Sequence, residues 1–201
     1  MNITTQQLSS FLVLAIIMSV TPGPNNLMVL FSSVRFGARK TLDHISGASA
    51  GSALMLLFVG LGLHEIFTLF PVIQLVMKYC GAAYILYLSW KILASTGNIQ
   101  AAETSSQPMS FVGAAFFQLI NPKSWIMASV AISTCLPAVF SFTDIAFYTL
   151  LFAVVSFPCV GIWAWFGAMI KQYLMDARLV RRFNQSCAGM LALSAVSMML
   201  F

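Results

Sequence analysis

Two short polar segments interrupt apolar stretches of this chain, one in each half. The first, 21–26, lies in an apolar stretch from about residue 8 to 34, and the second, 121–123, in one from about 111 to 136. Proline removes a backbone donor and clashes with the preceding turn, so we expect a helix to open at each segment. These breaks would expose nine residues: Thr21, Pro22, Gly23, Pro24, Asn25, Asn26, Asn121, Pro122 and Lys123.

The residue types at the breaks suit the binding of a small zwitterion. A half-helix that starts near Pro24 would point its positive end at the first break, where it attracts a carboxylate. A half-helix that ends near Val20 would point carbonyl groups there, which suits an ammonium group. Asn121 and Pro122 repeat the arrangement, and Lys123 adds a charge within the membrane, which usually marks function. We predict that these residues bind substrate; the alternative for Lys123 is that it only caps a half-helix or snorkels.

The composition is that of an integral membrane protein. Hydrophobic residues make up 60% of the chain and charged residues 7%, compared with about 25% charged residues in a soluble domain. The polar start, 1–10, has no Lys or Arg, so we predict that the first apolar stretch is retained as a span rather than removed as a signal peptide. The net charge of +5 comes from basic residues in short loops, which indicates topology rather than nucleic-acid binding.

No pattern in the sequence predicts an enzyme, a metal site or a cofactor. The four cysteines lie in apolar stretches without a Cys-x-x-Cys spacing, so we interpret them as small buried apolar side chains. No phosphate-binding Walker loop is present, and the Ser, His and Asp residues form no recognisable catalytic order.

The predicted fold is all-α, with six transmembrane helices. We place the spans at about 8–34, 45–63, 71–93, 110–137, 143–169 and 183–201. The polar stretch 94–108 would link two halves, about 1–96 and 108–201, of a single transporter domain, 1–201. Basic residues concentrate in the loops after the first, third and fifth spans, which predicts that these loops, 172–182 among them, are cytoplasmic and both termini periplasmic. The halves then form a 3+3 inverted repeat in which helices 1 and 4 are broken and meet near the membrane centre.

Small residues predict where helices pack closely. Gly47 and Gly51 form a Gly-x-x-x-Gly pair in the second span, and Gly81 lies in the third. Lipid supplies no hydrophobic drive between helices, so close backbone approach at small residues supplies the packing. We therefore predict a packing role for these glycines rather than contact with substrate.

Five further ionisable positions have less specific interpretations. Asp43 and His44 lie at the start of the second span, where capping and a proton-relay role both stay open. Lys78 lies about seven residues into the third span and is predicted to reach the outer interface. The pair 64–65 is predicted to be a solvated loop.

The motifs resemble those of the LysE/RhtB family of bacterial amino-acid exporters. Segment 21–25 is similar to the family's Thr-Pro-Gly-Pro-Asn signature, and 121–123 to its second motif. The run 81–92 is similar to its third-span pattern, most of all in the cysteine/O-acetylserine exporter branch. The resemblance implies efflux of amino acids or close derivatives across the bacterial inner membrane, coupled to the proton gradient. It also implies that the two broken segments line the path.

Three functions remain as alternatives at this point. The leading one is secondary-active export of a small neutral amino acid such as cysteine, O-acetylserine, homoserine or threonine. The second is a membrane thiol-redox carrier, which would use Cys80 and Cys187 at similar places in the third and sixth spans. The third is a non-transporting structural subunit, which would not need polar broken helices. The predicted partners are the lipid bilayer and an amino acid, and homo-oligomerisation is left open.

Overall fold

Helices form all the regular structure in the part of the chain that the structure describes. That part, in the computed structural model, comprises residues 3–63, 69, 71–95, 107–136, 140–174 and 176–200. The helices are α1 (Thr5–Val20), α2 (Pro24–Phe36), α3 (Leu42–Phe58), α4 (Pro71–Ala94), α5 (Phe111–Ile120), α6 (Pro122–Cys135), α7 (Phe142–Lys171) and α8 (Ala177–Leu200). A 3-10 turn, Arg39–Thr41, leads into α3, and a π-helical turn, Val59–Leu63, extends it. The pair 64–65 and residues 96–106 of the predicted linker lie outside the described residues.

Both predicted helix breaks are present. The first predicted span consists of α1 and α2, which are bent by 53° across the segment between them. Asn121 alone separates α5 from α6. Pro24 and Pro122 lie in the first turns of α2 and α6, where the missing N–H of proline costs nothing. Thr21 and Asn121 have extended backbones, the conformation that a following proline imposes.

Several helices are long and apolar enough to cross a bilayer. Among the described residues these are Arg39–Gly62, Phe142–Lys171 and Ala177–Leu200, and α1 with α2 makes a fourth when the bent pair is counted as one span. These findings are compatible with an integral membrane protein. The count of six spans and the inverted repeat remain predictions.

The last helix begins earlier than predicted. We placed the sixth span at 183–201 and a loop at 172–182, but α8 starts at Ala177. The carboxylate of Asp176 accepts a hydrogen bond from the N–H of Arg178 at 3.0 Å, which stabilises a helix start at this point. Arginine is also a good helix former, so Arg181 and Arg182 lie within the first turns of α8 rather than in a loop.

The short helix α5 is held between α3 and α4 by contacts with glycines. A Cβ atom added at Gly47 would collide with the carbonyl of Phe111, and one at Gly51 would lie 2.6 Å from the carbonyl oxygen of Ala115. A Cβ at Gly81 would collide with the carbonyl of Ile120. All three glycines therefore lie against the backbone of α5. Because α5 ends at the second break, these contacts also fix where that break lies.

Two apolar clusters pack the helices on either side of the breaks. The first includes Phe11 and Tyr148, whose ring centroids are 4.6 Å apart in an edge-to-face arrangement. The second joins α2, α4 and α8 through residues such as Ile85 and Leu191, both fully buried. The polar residues of the breaks lie between elements that these clusters hold in place.

Candidate functional site

The two breaks lie against each other, as the sequence predicts. The Lys123 ammonium donates a hydrogen bond to the carbonyl oxygen of Thr21 at 2.5 Å. On the other side, the Gln118 amide donates to Oδ1 of Asn25 at 3.2 Å. Each of these bonds joins the first half of the chain to the second. A side chain from one break thus completes the polar surroundings of the other.

The carbonyl groups that end α1 are already occupied by donors of the chain itself. Nδ2 of Asn26 donates to Ser19 O at 2.8 Å and to Thr21 O at 2.9 Å. The indole N–H of Trp163 donates to Val20 O at 2.9 Å. We expected these carbonyls to be available to an ammonium group. In this conformation an incoming ammonium would have to displace one of these donors.

The two half-helices that start at the breaks differ in their capping. Oδ1 of Asn121 accepts a hydrogen bond from the N–H of Lys123 at 3.2 Å, so the Asn121 side chain caps α6. The N-cap residue of α2 is Gly23, and no side chain caps that helix. The positive end of α2 is therefore the one left available to an outside anion.

Gln118 is the centre of the hydrogen-bond network and was missed by the sequence analysis. Its side chain is 1% exposed. Its amide nitrogen donates to Asn25, and its amide oxygen accepts hydrogen bonds from Asn121 and Ser124, both at 2.9 Å, and from Ser52 at 3.3 Å. The available signal was an amide residue one turn before Asn121 in an otherwise apolar helix.

A small polar cavity lies where these residues meet. Its volume is about 40 Å³, room for roughly one to three water molecules. Small-molecule sites usually measure about 300–1,000 Å³, so the cavity must widen before it can hold an amino acid. The polar and charged residues that line it are Ser19, Asn25, Asn26, Ser49, Ser52, Gln118, Asn121, Lys123, Ser124 and Ser156. Among the described residues, Lys123 is the one charged group in its wall, so the cavity carries a net positive charge.

The nine predicted residues are divided between this polar cavity and a larger groove. Gly23, Asn25, Asn26, Asn121 and Lys123 line the polar cavity. The three prolines line a groove of about 940 Å³, the apolar groove, which α4 and α8 also border and to which Gly23 and Lys123 contribute as well. Thr21 lines neither space and takes part through its carbonyl group.

The remaining sequence candidates lie apart from the breaks. Asp43 is exposed, whereas His44 is 1% exposed and both of its ring nitrogens lack a hydrogen-bond partner among the described residues. All four cysteines are free; Cys80 is exposed and the other three are buried. In the described ranges, no group of three or more His, Cys, Asp or Glu residues could hold a metal ion.

Comparisons with known proteins agree with the resemblance in the motifs. The LysE type translocator family model matches residues 16–201. Similar proteins include the cysteine/O-acetylserine efflux proteins of Escherichia coli (strain K12), Klebsiella pneumoniae and Shigella sonnei, each 29% identical over 96% of this chain. The matches cover 95%, 97% and 95% of those proteins. No solved structure matches the chain. The chain belongs to the LysE type translocator family and is a transporter rather than an enzyme.

Proposed function

We propose that this protein exports small neutral amino acids or close derivatives from the bacterial cytoplasm by proton antiport. Cysteine, O-acetylserine, homoserine and threonine are the substrates of suitable size and charge. The observation that carries the proposal is the pair of helix breaks joined by Lys123 and Thr21 beside a small polar cavity. The names of the similar efflux proteins support the substrate class.

The charges at the breaks suggest how a zwitterion would bind. Its carboxylate would take the Lys123 ammonium and the uncapped positive end of α2. Its own ammonium would then take the Thr21 carbonyl that Lys123 releases. This exchange keeps the Lys123 ammonium and both charges of the solute paired, and an unpaired charge is the main cost of moving a charged solute through apolar surroundings. Asn25, at the first turn of α2, would contact the carboxylate. A cation without a carboxylate could not complete the exchange.

The size of the polar cavity supports a cycle with several conformations. A cavity of about 40 Å³ would correspond to a state without substrate, and binding would require the two halves to move apart. We place the six spans as a 3+3 inverted repeat with both termini periplasmic. A two-fold relation between the halves would match α3 with α7 and α4 with α8, and each of these pairs is in contact. The proposed motion is a rocking of one half against the other around the breaks.

Counterflow in proteoliposomes tests the proposed function. Vesicles loaded with one unlabelled amino acid would be given a panel of labelled ones, with cysteine, O-acetylserine, homoserine and threonine beside lysine and glutamate. We expect exchange of the small neutral substrates and little exchange of the charged ones. An imposed pH gradient should drive accumulation of the small neutral substrates, and a protonophore should abolish this accumulation. Folded protein that exchanges none of the panel would contradict the proposal.

A further inference from the structure

The apolar groove contains a second lysine that the substrate site at the breaks does not use. Lys78 lines this groove together with Leu75 of α4 and with Ser194 and Ser197 of α8. Its side chain is half-buried, and no residue in the described part of the chain forms a hydrogen bond or an ion pair with it. A half-buried ammonium without a partner has lost part of its hydration and gained no compensating contact, so it favours an incoming anion.

The charged groups that line the apolar groove are all positive among the described residues. Lys78 and Lys123 both line it, and no acidic residue does so among the described residues. The starts of α2 and α6, at Pro24 and Pro122, also border it, and helix N-termini carry partial positive charge. The groove thus suits a carboxylate and disfavours a cation.

The groove adjoins the polar cavity. Gly23 and Lys123 line both spaces, so the Lys123 side chain and the Gly23 backbone form the partition between them. A solute that leaves the polar cavity past Lys123 would enter the groove. The groove, at about 940 Å³, has ample room for a small amino acid.

We infer that the apolar groove is the release vestibule and that Lys78 is a second carboxylate-binding group, which accepts the substrate after Lys123. This inference rests on the proposed function. Lys78 lies seven residues after Pro71, the first residue of α4, or about 10 Å along the helix. It therefore lies between the breaks and the end of the helix that faces outward in the proposed topology. The carboxylate would pass from the Lys123 ammonium to that of Lys78, since both line the groove.

A phospholipid headgroup is the alternative anion for Lys78, and the position of the lysine favours the substrate. Two turns of α4 separate Lys78 from the start of its helix, so the lysine would have to extend to the interface to meet a headgroup, whereas the groove that it lines adjoins the polar cavity directly. A free amino acid has no such constraint. The lipid composition of the vesicles separates the two occupants.

The test compares substrate affinity on the two faces of the membrane. Wild type, Lys78→Gln and Lys78→Arg would be assayed with labelled O-acetylserine in right-side-out and inside-out vesicles. Lys78→Gln should raise the half-saturating concentration on the outer face about tenfold, because a charged hydrogen bond is lost, and leave the inner face unchanged. Lys78→Arg should recover most of the affinity. Lys91→Gln is the matched control, since Lys91 is an exposed lysine of the same helix outside the groove.

Chemical rescue provides a second readout. Lys78→Cys in a Cys80→Ser background should lose outer-face affinity, and 2-aminoethyl methanethiosulfonate, which restores an ammonium, should bring it back. The related reagent that attaches a negatively charged sulfonate should not restore the affinity. Bound substrate should slow the modification of the Lys78→Cys variant by either reagent.

Each contrary outcome has a distinct meaning. Unchanged outer-face affinity in Lys78→Gln, with an active wild type, overturns this inference and leaves the proposed function standing. A defect confined to vesicles with anionic phospholipid overturns it in favour of a lipid site. A folded wild type that transports nothing overturns the proposed function, and this inference with it.

Discussion

The Lys123 ammonium lies 2.5 Å from the Thr21 carbonyl oxygen, across 102 positions of sequence. This contact gives a partner to a half-buried lysine and adds a second donor to the Thr21 carbonyl, which also accepts a hydrogen bond from Asn26. It also occupies both groups that a zwitterionic substrate would need. In the proposed function, a bound amino acid would have to replace this contact.

Removal of the Lys123 charge should abolish transport. Lys123→Met keeps much of the length of the side chain and removes the carboxylate partner, while Lys123→Arg keeps the charge but changes its shape and hydration, so it should recover activity only in part. The measurement is uptake into inverted vesicles, normalised to membrane-inserted protein. Lys91→Met serves as the control, because Lys91 is exposed at the end of α4.

Near-normal normalised transport by Lys123→Met would contradict a binding role for Lys123. If the lysine only capped a half-helix, the variant would instead lower the amount of inserted protein and leave transport per molecule unchanged. Normalisation separates the two results.

A methyl group at Gly23 should disturb Lys123 without disturbing the backbone. Gly23 has an extended conformation, with φ at −173°, which alanine adopts as readily as glycine. An added Cβ would lie 3.0 Å from Cδ of Lys123 and 3.5 Å from its Nζ, so the lysine side chain must shift by a few tenths of an ångström from its present position beside Thr21. We expect Gly23→Ala to lower transport severalfold at unchanged abundance. Gly161→Ala is the control, because a Cβ at Gly161 meets nothing within 4 Å.

The Gly23→Ala effect should act through the lysine alone. In a Lys123→Met background, Gly23→Ala should therefore cause no further loss, since the two changes remove one interaction. Additive losses would contradict this and indicate that Gly23 contacts substrate directly.

The sequence predicted the breaks because their cause is local. Proline determines the conformation of its own residue and of the one before it, so Pro24 and Pro122 indicate where helices end and start without knowledge of the fold. The partners of the breaks could not be predicted in this way. Gln118 and Trp163 reach the first break from distant parts of the chain, and no local pattern specifies which donor satisfies which carbonyl.

The start of α8 shows a second limit of sequence reasoning. Hydropathy placed the last span at 183 because Arg178, Arg181 and Arg182 are charged. Hydropathy measures where a helix enters lipid, whereas helix formation depends on backbone hydrogen bonds and capping. Asp176 provides the cap, so the helix begins one to two turns before its apolar part.

Loss of the Gln118 side chain should destabilise the protein. Gln118→Leu is close to it in size and removes the partner of Asn25, Asn121 and Ser124. Each buried polar group left unpaired costs about 1–3 kcal/mol, so we expect a clear drop in the thermal midpoint in detergent. Gln172→Leu, at an exposed position after α7, should change little. An unchanged midpoint for Gln118→Leu would show that water replaces the amide at no cost.

Alanine at Gly47 should separate α3 from α5. Its Cβ would collide with the backbone carbonyl of Phe111, and a backbone atom cannot rotate away as a side chain can. Overpacking of this kind costs about 1–3 kcal/mol. We expect Gly47→Ala to lower the amount of folded protein in the membrane. Gly189→Ala, whose Cβ would meet nothing within 4 Å, should leave it unchanged. Equal abundance of the two variants would contradict close packing of α3 on α5.

Replacement of His44 by an apolar residue should stabilise the protein. His44 is 1% exposed, and neither ring nitrogen has a partner among the described residues. Burial of an unsatisfied polar group is unfavourable, so we expect His44→Leu to raise the free energy of unfolding by about 1 kcal/mol, or a few degrees in thermal midpoint. His44→Gln keeps a polar group at the same place and should bring no gain. A lower midpoint for His44→Leu would show that the imidazole has a partner in the folded protein. Higher stability with lost transport would instead favour the proton-relay role over a structural one, because the imidazole would then be retained for the transport cycle at a cost in stability.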